Sequence, residues 1–282
     1  MEPRILILTS NSYRKIYFAN EINRHYKVAG IVVEQKFLRK NRIRKFLKSI
    51  KYNPIKLFLK IYYKIRLLEV DKRYEEAEIK MLLGGGRGAS FPKEAAILKT
   101  DDINSGEVED FIKKCRPDII LVSGSSLIKK NIIALAPPNG IINMHTGLSP
   151  YYRGGPCTFW CLFNGELEYL GVTIHHLTAG IDSGDIILSE RETSVGPGDN
   201  EATLDCRVIM RGTRLMVKAI RLIFEGRAPR VPQWMKGKNY LFKFFTPRVR
   251  LELERRLRRG LVENWILKNK NRSFEYIREV GG

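Results

Sequence analysis

The chain is poor in the residues that staple or metallate a fold. Its 282 residues include four cysteines and four histidines. Cys115, Cys157, Cys161 and Cys206 form no C-x-x-C pair, and no histidine cluster completes a zinc set around Cys157 and Cys161. Neither a metal site nor a disulfide framework is expected, and the thiols read as reduced. Long apolar runs are missing as well. The opening Ile5-Leu6-Ile7-Leu8 is shorter than the apolar region of a signal peptide and ends in polar residues, so it reads as a buried strand. No stretch reaches the roughly 18 apolar residues of a membrane span. Internal repeats are absent, and Gly84-Gly85-Gly86-Arg87-Gly88 lacks the G-x-x-x-x-G-K-[ST] pattern of a phosphate loop, which leaves a flexible joint. These absences together point to a cytoplasmic protein. Acid is also missing from one long stretch: residues 36–66 hold twelve Lys or Arg and no Asp or Glu, inside a chain whose net charge is +20.

What is present is an α/β rhythm. Apolar runs at residues 5–9, 28–34, 119–122, 140–144, 172–176 and 186–189 read as strands. Amphipathic or charged stretches following the first strand and at 71–83, 107–114, 131–134, 203–224 and 249–257 read as helices. The expected fold is a doubly wound, mostly parallel Rossmann-like sheet, in which ligands gather at the carboxyl ends of the strands. Residues 1–231 would form the catalytic domain, with a basic helical insertion at 36–83, and residues 232–282 a short C-terminal extension. The basic stretch threads Phe37, Phe46, Phe58, Ile61, Tyr62 and Ile65 among its cations at helical spacing, with a break near Asn53-Pro54. It reads as a solvated face, as an interfacial helix on anionic lipid, or as a groove for RNA or a phosphorylated ligand. Peripheral contact with an anionic membrane is the preferred expectation, and contact with tRNA the lesser one.

The chemistry gathers downstream. Asn143 and His145 lie two apart in a strand, so they point to the same side at its carboxyl end. The loop that follows, Thr146-Gly147-Leu148-Ser149-Pro150-Tyr151-Tyr152-Arg153, is shaped by Gly, Ser and Pro and would wall a second-substrate pocket, with Thr146, Gly147, Tyr151, Tyr152 and Arg153 as candidate contacts. A second loop, Thr178-Ala179-Gly180-Ile181-Asp182-Ser183-Gly184, places a carboxylate where it could reach the imidazole. Taken singly, an Asn at a strand end is a turn former and a lone His is structural. His175 divides evenly between pocket and core, and His176 reads as structural.

Four blocks in this order and spacing are similar to the folate-dependent formyltransferases, the family that includes glycinamide ribonucleotide, methionyl-tRNA and sugar N-formyltransferases. They are Asn143-Met144-His145, the loop from Leu148 through Gly154, Gly171-Val172-Thr173-Ile174-His175, and Asp182-Ser183-Gly184-Asp185-Ile186-Ile187. The resemblance implies that Asn143, His145 and Asp182 are the catalytic trio. It implies a folate pocket over Ser123, Gly124, Ser125, Ser126, Leu127 and Ile128, and over Thr178, Ala179, Gly180 and Ile181. Where the family often carries a large or aromatic residue, this chain has the small run Ser123-Gly124-Ser125-Ser126. The implied donor is 10-formyltetrahydrofolate or 5-formyltetrahydrofolate, and the implied acceptor an amine. About fifty residues follow Pro232, fewer than the roughly one hundred of the C-terminal barrel of methionyl-tRNA formyltransferases. The expected acceptor is therefore a nucleotide-linked amino sugar, with methionyl-tRNA, or a folate-binding protein of the same fold without turnover, as the alternatives.

Overall fold

The computed structural model describes residues 3–35, 54–86 and 88–281. The first part of the basic stretch, residues 36–53, and Arg87 of the glycine-rich joint lie outside the described residues, so the expected helix break at Asn53-Pro54 can be followed only from Pro54 onward.

Seven strands form the central sheet: β1 (Ile5–Ser10), β2 (Val28–Glu34), β3 (Ala96–Thr100), β4 (Ile119–Ser123), β5 (Ile141–His145), β7 (Gly171–His176) and β8 (Ile186–Arg191). Their order is β3-β2-β1-β4-β5-β7-β8. The strands from β3 to β5 run parallel, whereas β7 is antiparallel to both β5 and β8. The order reverses between β1 and β4, the topological switch point outside which an open α/β sheet binds its ligands. The fold is the expected mostly parallel Rossmann-like sheet, with a mixed edge.

Period-two alternation sorts the strand residues between two cores. Ile5 and Ile7 of β1 pack with Phe18 and Ile22 of α1 (Tyr13–His25) and with Val208, Met216 and Ile220 of α6 (Glu201–Phe224). Leu6 and Leu8 face the other way, onto Val108 and Ile112 of α3 (Gly106–Cys115) and Ile132 of the short α4 (Lys130–Ile133). Helix α6 starts sharply because the Asn200 side chain accepts from the Ala202 and Thr203 amides while Thr203 Oγ1 accepts from Asn200 N. Such a cap contributes about 1 kcal/mol.

The insertion differs from the sequence reading. Helix α2 (Pro54–Leu82) is continuous, and the helix expected to begin at Asp71 is its second half. Leu67-Leu68-Glu69-Val70 contains no breaker; the change from basic to mixed composition alters what the helix packs against and leaves its path unbroken.

The C-terminal segment folds back onto the body. Strand β6 (Tyr152–Gly154) pairs in parallel with β9 (Lys238–Tyr240). Helix α5 (Cys157–Asn164) buries Cys157, Phe159, Trp160, Cys161 and Leu162. It shares a third core with Leu253 of α7 (Pro247–Arg258) and Val262 of α8 (Leu261–Asn269). At the end of the chain, Val280 N donates to Ser189 Oγ at 2.8 Å and Ser189 N to Val280 O at 2.9 Å. No helix of the described residues is long and apolar enough to cross a membrane.

Candidate active site

Asn143 and His145 leave the same face of β5 at its carboxyl end. The antiparallel register sets Asn143 opposite His175 on β7, and directly opposed residues share a face, so His175 joins them. Asp182 arrives from the loop between β7 and β8. Its Oδ1 lies 3.3 Å from Asn143 Nδ2 and 3.5 Å from His175 Nε2. Its Oδ2 accepts from the Gly154 amide at 2.9 Å and lies 3.4 Å from His145 Nδ1. The three residues named from sequence therefore converge, with His175 as a fourth.

Each ring is fixed from behind. His145 Nε2 donates to the Tyr152 carbonyl at 3.0 Å, which turns Nδ1 to the carboxylate. His175 Nδ1 donates to the His176 carbonyl at 2.9 Å, which leaves Nε2 facing Asn143 Nδ2 at 3.0 Å and the carboxylate beyond. In the neutral ring that Nε2 accepts from Asn143; a proton placed there turns it into a donor toward Asp182.

Asp182 is held against two costs. Burial by itself would raise its carboxyl; the neighbouring His145 ring, then His175 and the Gly154 amide, outweigh burial and hold it well below the usual carboxylate range. Its backbone sits in the left-handed region at φ 43°, which costs a non-glycine residue about 1–2 kcal/mol. Gln233 of the C-terminal segment secures that conformation: its Nε2 donates to the Asp182 carbonyl at 2.7 Å and to the Gly184 carbonyl at 3.0 Å. Strain of this kind persists where the surroundings over-determine it, and it clusters at functional sites.

The four groups open onto a cleft of about 1250 Å³. Gly124, Ser125, Ser126, Leu127 and Ile128 line it, as do Thr178, Gly180 and Ile181. Ser123 is buried beneath that wall, where its Oγ accepts from Lys15 Nζ at 3.2 Å, and Ala179 is exposed on its loop. The turn at Ser126 is tied down by the buried Glu34, whose Oε2 accepts from the Ser126 amide at 2.7 Å.

The expected acceptor wall is only partly in place. Thr146 lines the cleft; Gly147, Tyr151, Tyr152 and Arg153 do not. Gly147 is the floor under the imidazole: a Cβ there would stand 2.4 Å from His145 Nε2 and 2.7 Å from Cys157 Sγ. The Tyr152 ring is buried against Tyr240, and Tyr151 packs edge-on to Trp234 while its hydroxyl accepts from Arg278 N. These aromatics lock β6 and the tail together, and Tyr152 reaches the site through its backbone carbonyl alone.

A second wall escaped the sequence reading. Arg14 and Lys15 of α1, Asp71, Tyr74, Glu75 and Glu78 of α2, Glu201 and Asp205 of α6, and Arg250 of α7 all line the cleft. Arg14 Nε contacts Glu78 at 2.8 Å and its Nη1 contacts Asp205 at 2.8 Å; Arg250 meets Asp71 at 2.6 Å. Burial, with help from Arg14, brings the Lys15 ammonium down to about 8. Burial and the neighbouring Asp205 push the Glu201 carboxyl up to about 7. The one local sign was Asp205 itself, a carboxylate among the apolar positions of α6.

Residues 87–220 match the family model described as formyl transferase. The matched stretch is similar to a formyl transferase domain. That stretch spans β3 to β8, most of α6, and all four converging groups. A methionyl-tRNA formyltransferase of Desulforamulus reducens is 34% identical over 158 residues, which cover 56% of this chain and 48% of that protein. The chain spans about half the length of the curated relatives it matches. Among solved structures, glycinamide ribonucleotide transformylase 1 of Symbiobacterium toebii superposes with a TM-score of 0.54 at 20% identity, over 82% of this chain and 94% of that one. A sugar N-formyltransferase from a Shewanella species gives 0.54 at 15% identity, over 86% and 78%. At these identities the likeness is one of fold.

Proposed function

We propose that the cleft transfers a formyl group from formyltetrahydrofolate to an amine, and that the amine belongs to a nucleotide-linked amino sugar. The observation that carries the transfer is the convergence of Asn143, His145, His175 and Asp182 at one rim of the sheet, beside a cleft of about 1250 Å³.

The donor wall suits a flat heteroaromatic ring. Leu127, Ile128 and Ile181 offer apolar contact, and the Gly124–Ser126 turn and Gly180 present backbone without bulky side chains. When bound there, formyltetrahydrofolate supplies the electrophilic formyl carbon. The chain does the rest. The Asn143 amide donates to the formyl oxygen as that oxygen gathers negative charge. His175 Nε2 takes up the proton that the attacking amine must lose and returns it to the folate nitrogen as the bond from that nitrogen to the formyl carbon breaks, and Asp182 faces the intervening cation at 3.5 Å. The His145 ring, held between Tyr152 O and Asp182, keeps the carboxylate ionised and aimed.

The acceptor reading rests on the second wall. Cations at Arg14, Lys15 and Arg250 suit a pyrophosphate, and carboxylates at Asp71, Glu75 and Glu78 suit sugar hydroxyls. The name and 34% identity of the Desulforamulus relative favour methionyl-tRNA as the second reading. The test offers the purified chain formyltetrahydrofolate labelled at N10 or at N5, with a panel of nucleotide-linked amino sugars, glycinamide ribonucleotide and methionyl-tRNA. Transfer to an amino sugar supports the proposal and transfer to charged tRNA replaces its second half. Folate binding with no transfer to any amine would mean a binding protein.

A further inference from the structure

The site uses only the second half of α2. From Leu67 onward this helix is docked: Leu67, Val70, Ile79 and Leu82 are buried, and Asp71 and Arg73 bridge to Arg250 and Glu254 of α7. Across residues 55–66, about 18 Å of helix at 1.5 Å per residue, no described residue is buried. The exposed side chains there are largely apolar: Ile55 is 71% exposed, Phe58 68%, Ile61 50% and Ile65 60%. Single exposed apolar residues are ordinary on a protein surface, but turn after turn of them on one helix is not. The 3.6-residue repeat gathers Leu57, Phe58, Ile61, Tyr62, Ile65 and Leu68 on one side. Lys64 and Arg66, both exposed, border that side on either flank.

We propose that this first half of α2 is a docking surface for a bilayer rich in anionic phospholipid, with its apolar side in the interface and the flanking Lys64 and Arg66 on the headgroups. Charge complementarity selects the occupant: residues 54–66 carry four cations and no carboxylate. A large apolar face bordered by lysine is the make-up of an interfacial helix. Binding to RNA draws on stacking aromatics and guanidinium groups, whereas most of the exposed apolar side chains here are aliphatic. A second copy would set the same positive surface against itself across a two-fold contact. The docking surface stands independently of which amine the cleft formylates. Its consequence is geometric: Asp71, Tyr74, Glu75 and Glu78 on the same rigid helix wall the cleft, so docking fixes the distance of the cleft from the membrane.

The experiment is co-sedimentation of the full chain with vesicles of phosphatidylcholine alone and with an equal mixture of phosphatidylcholine and phosphatidylglycerol, at low and high salt. Binding is expected to the mixed vesicles only, with release by salt. The Lys64→Gln/Arg66→Gln variant should bind roughly thirtyfold more weakly. The Phe58→Asp/Ile65→Asp variant should lose binding, with its circular dichroism and elution volume unchanged because both side chains are exposed. The proposal is overturned if the wild-type chain ignores the mixed vesicles, or if the double-aspartate variant binds them as well as wild type. It is equally overturned if those variants abolish tRNA binding or self-association in a chain that never sediments with vesicles.

Discussion

Replacing Asp182 by Asn probes the proposed chemistry with little risk to the fold. Asn tolerates the left-handed backbone that position 182 requires, and it keeps an oxygen to accept from the Gly154 amide. What it removes is a charge 3.4 Å from His145 Nδ1 and 3.5 Å from His175 Nε2. At an effective dielectric of about 20, a pair at that separation is worth about 5 kcal/mol. The side chains are only 7% and 15% exposed, so water screens little of it. If about 4 kcal/mol of this is felt only when the histidine carries the amine's proton, kcat should fall about a thousandfold. Folate affinity, which the proposal assigns to the Gly124–Ile128 wall, should stay within about threefold. Single-turnover formyl transfer gives the first quantity and donor titration the second. A kcat within tenfold of wild type would refute the assignment of Asp182. The same variant reads the linkage to pH. The Asp182 carboxyl is depressed in the folded chain, so its contribution to stability is complete above the usual carboxylate value of about 4 and is lost as pH falls below it. The stability gap between wild type and variant in urea melts should therefore narrow on acidification from pH 6 to pH 3.

Gly147→Ala should cost about 1–3 kcal/mol in thermal or urea melts and cut kcat more than tenfold, because its Cβ would stand 2.4 Å from His145 Nε2 against a buried helix that cannot recede. Glu34→Ala removes the acceptor of the Ser126 amide and so loosens the donor wall; KM for formyltetrahydrofolate should rise roughly tenfold with kcat within threefold. Glu201, whose carboxyl is raised to about 7, costs the folded chain stability as pH climbs from its ordinary value toward and past that point. Glu201→Gln should match wild type near pH 4 and exceed its stability by about 3 kcal/mol near pH 8, a gain that pH-resolved melts would reveal.

Sequence signals were clearest where one strand carried its own information. Asn143 and His145 announce a shared direction by their spacing, and Val28–Glu34 is visible as an apolar run. His175 stayed ambiguous because its role depends on an antiparallel register with β5 that no local pattern specifies. Strand β3 escaped because it is a largely exposed edge of five residues, and β6 and β9 are three-residue strands whose pairing joins segments far apart in the chain. The second cleft wall was hidden for a different reason. Net charge drew attention to the basic half of α2, whereas the residues that reach the cleft are Asp71, Tyr74, Glu75 and Glu78. Tyr151 and Tyr152 misled in the opposite sense: aromatic residues beside a catalytic strand suggested ligand contact, and packing against Trp234 and Tyr240 claimed them.

The two hydrogen bonds from Gln233 give the C-terminal segment a hold on the reaction centre from outside the matched domain. A protein cut after residue 232 would retain Asn143, His145, His175 and Asp182 but lose Arg250 from the cleft wall, and the carboxylate loop would be free to relax out of its left-handed turn. Grafting a different tail onto this sheet would therefore retune turnover as well as substrate choice, since the latch travels with the graft.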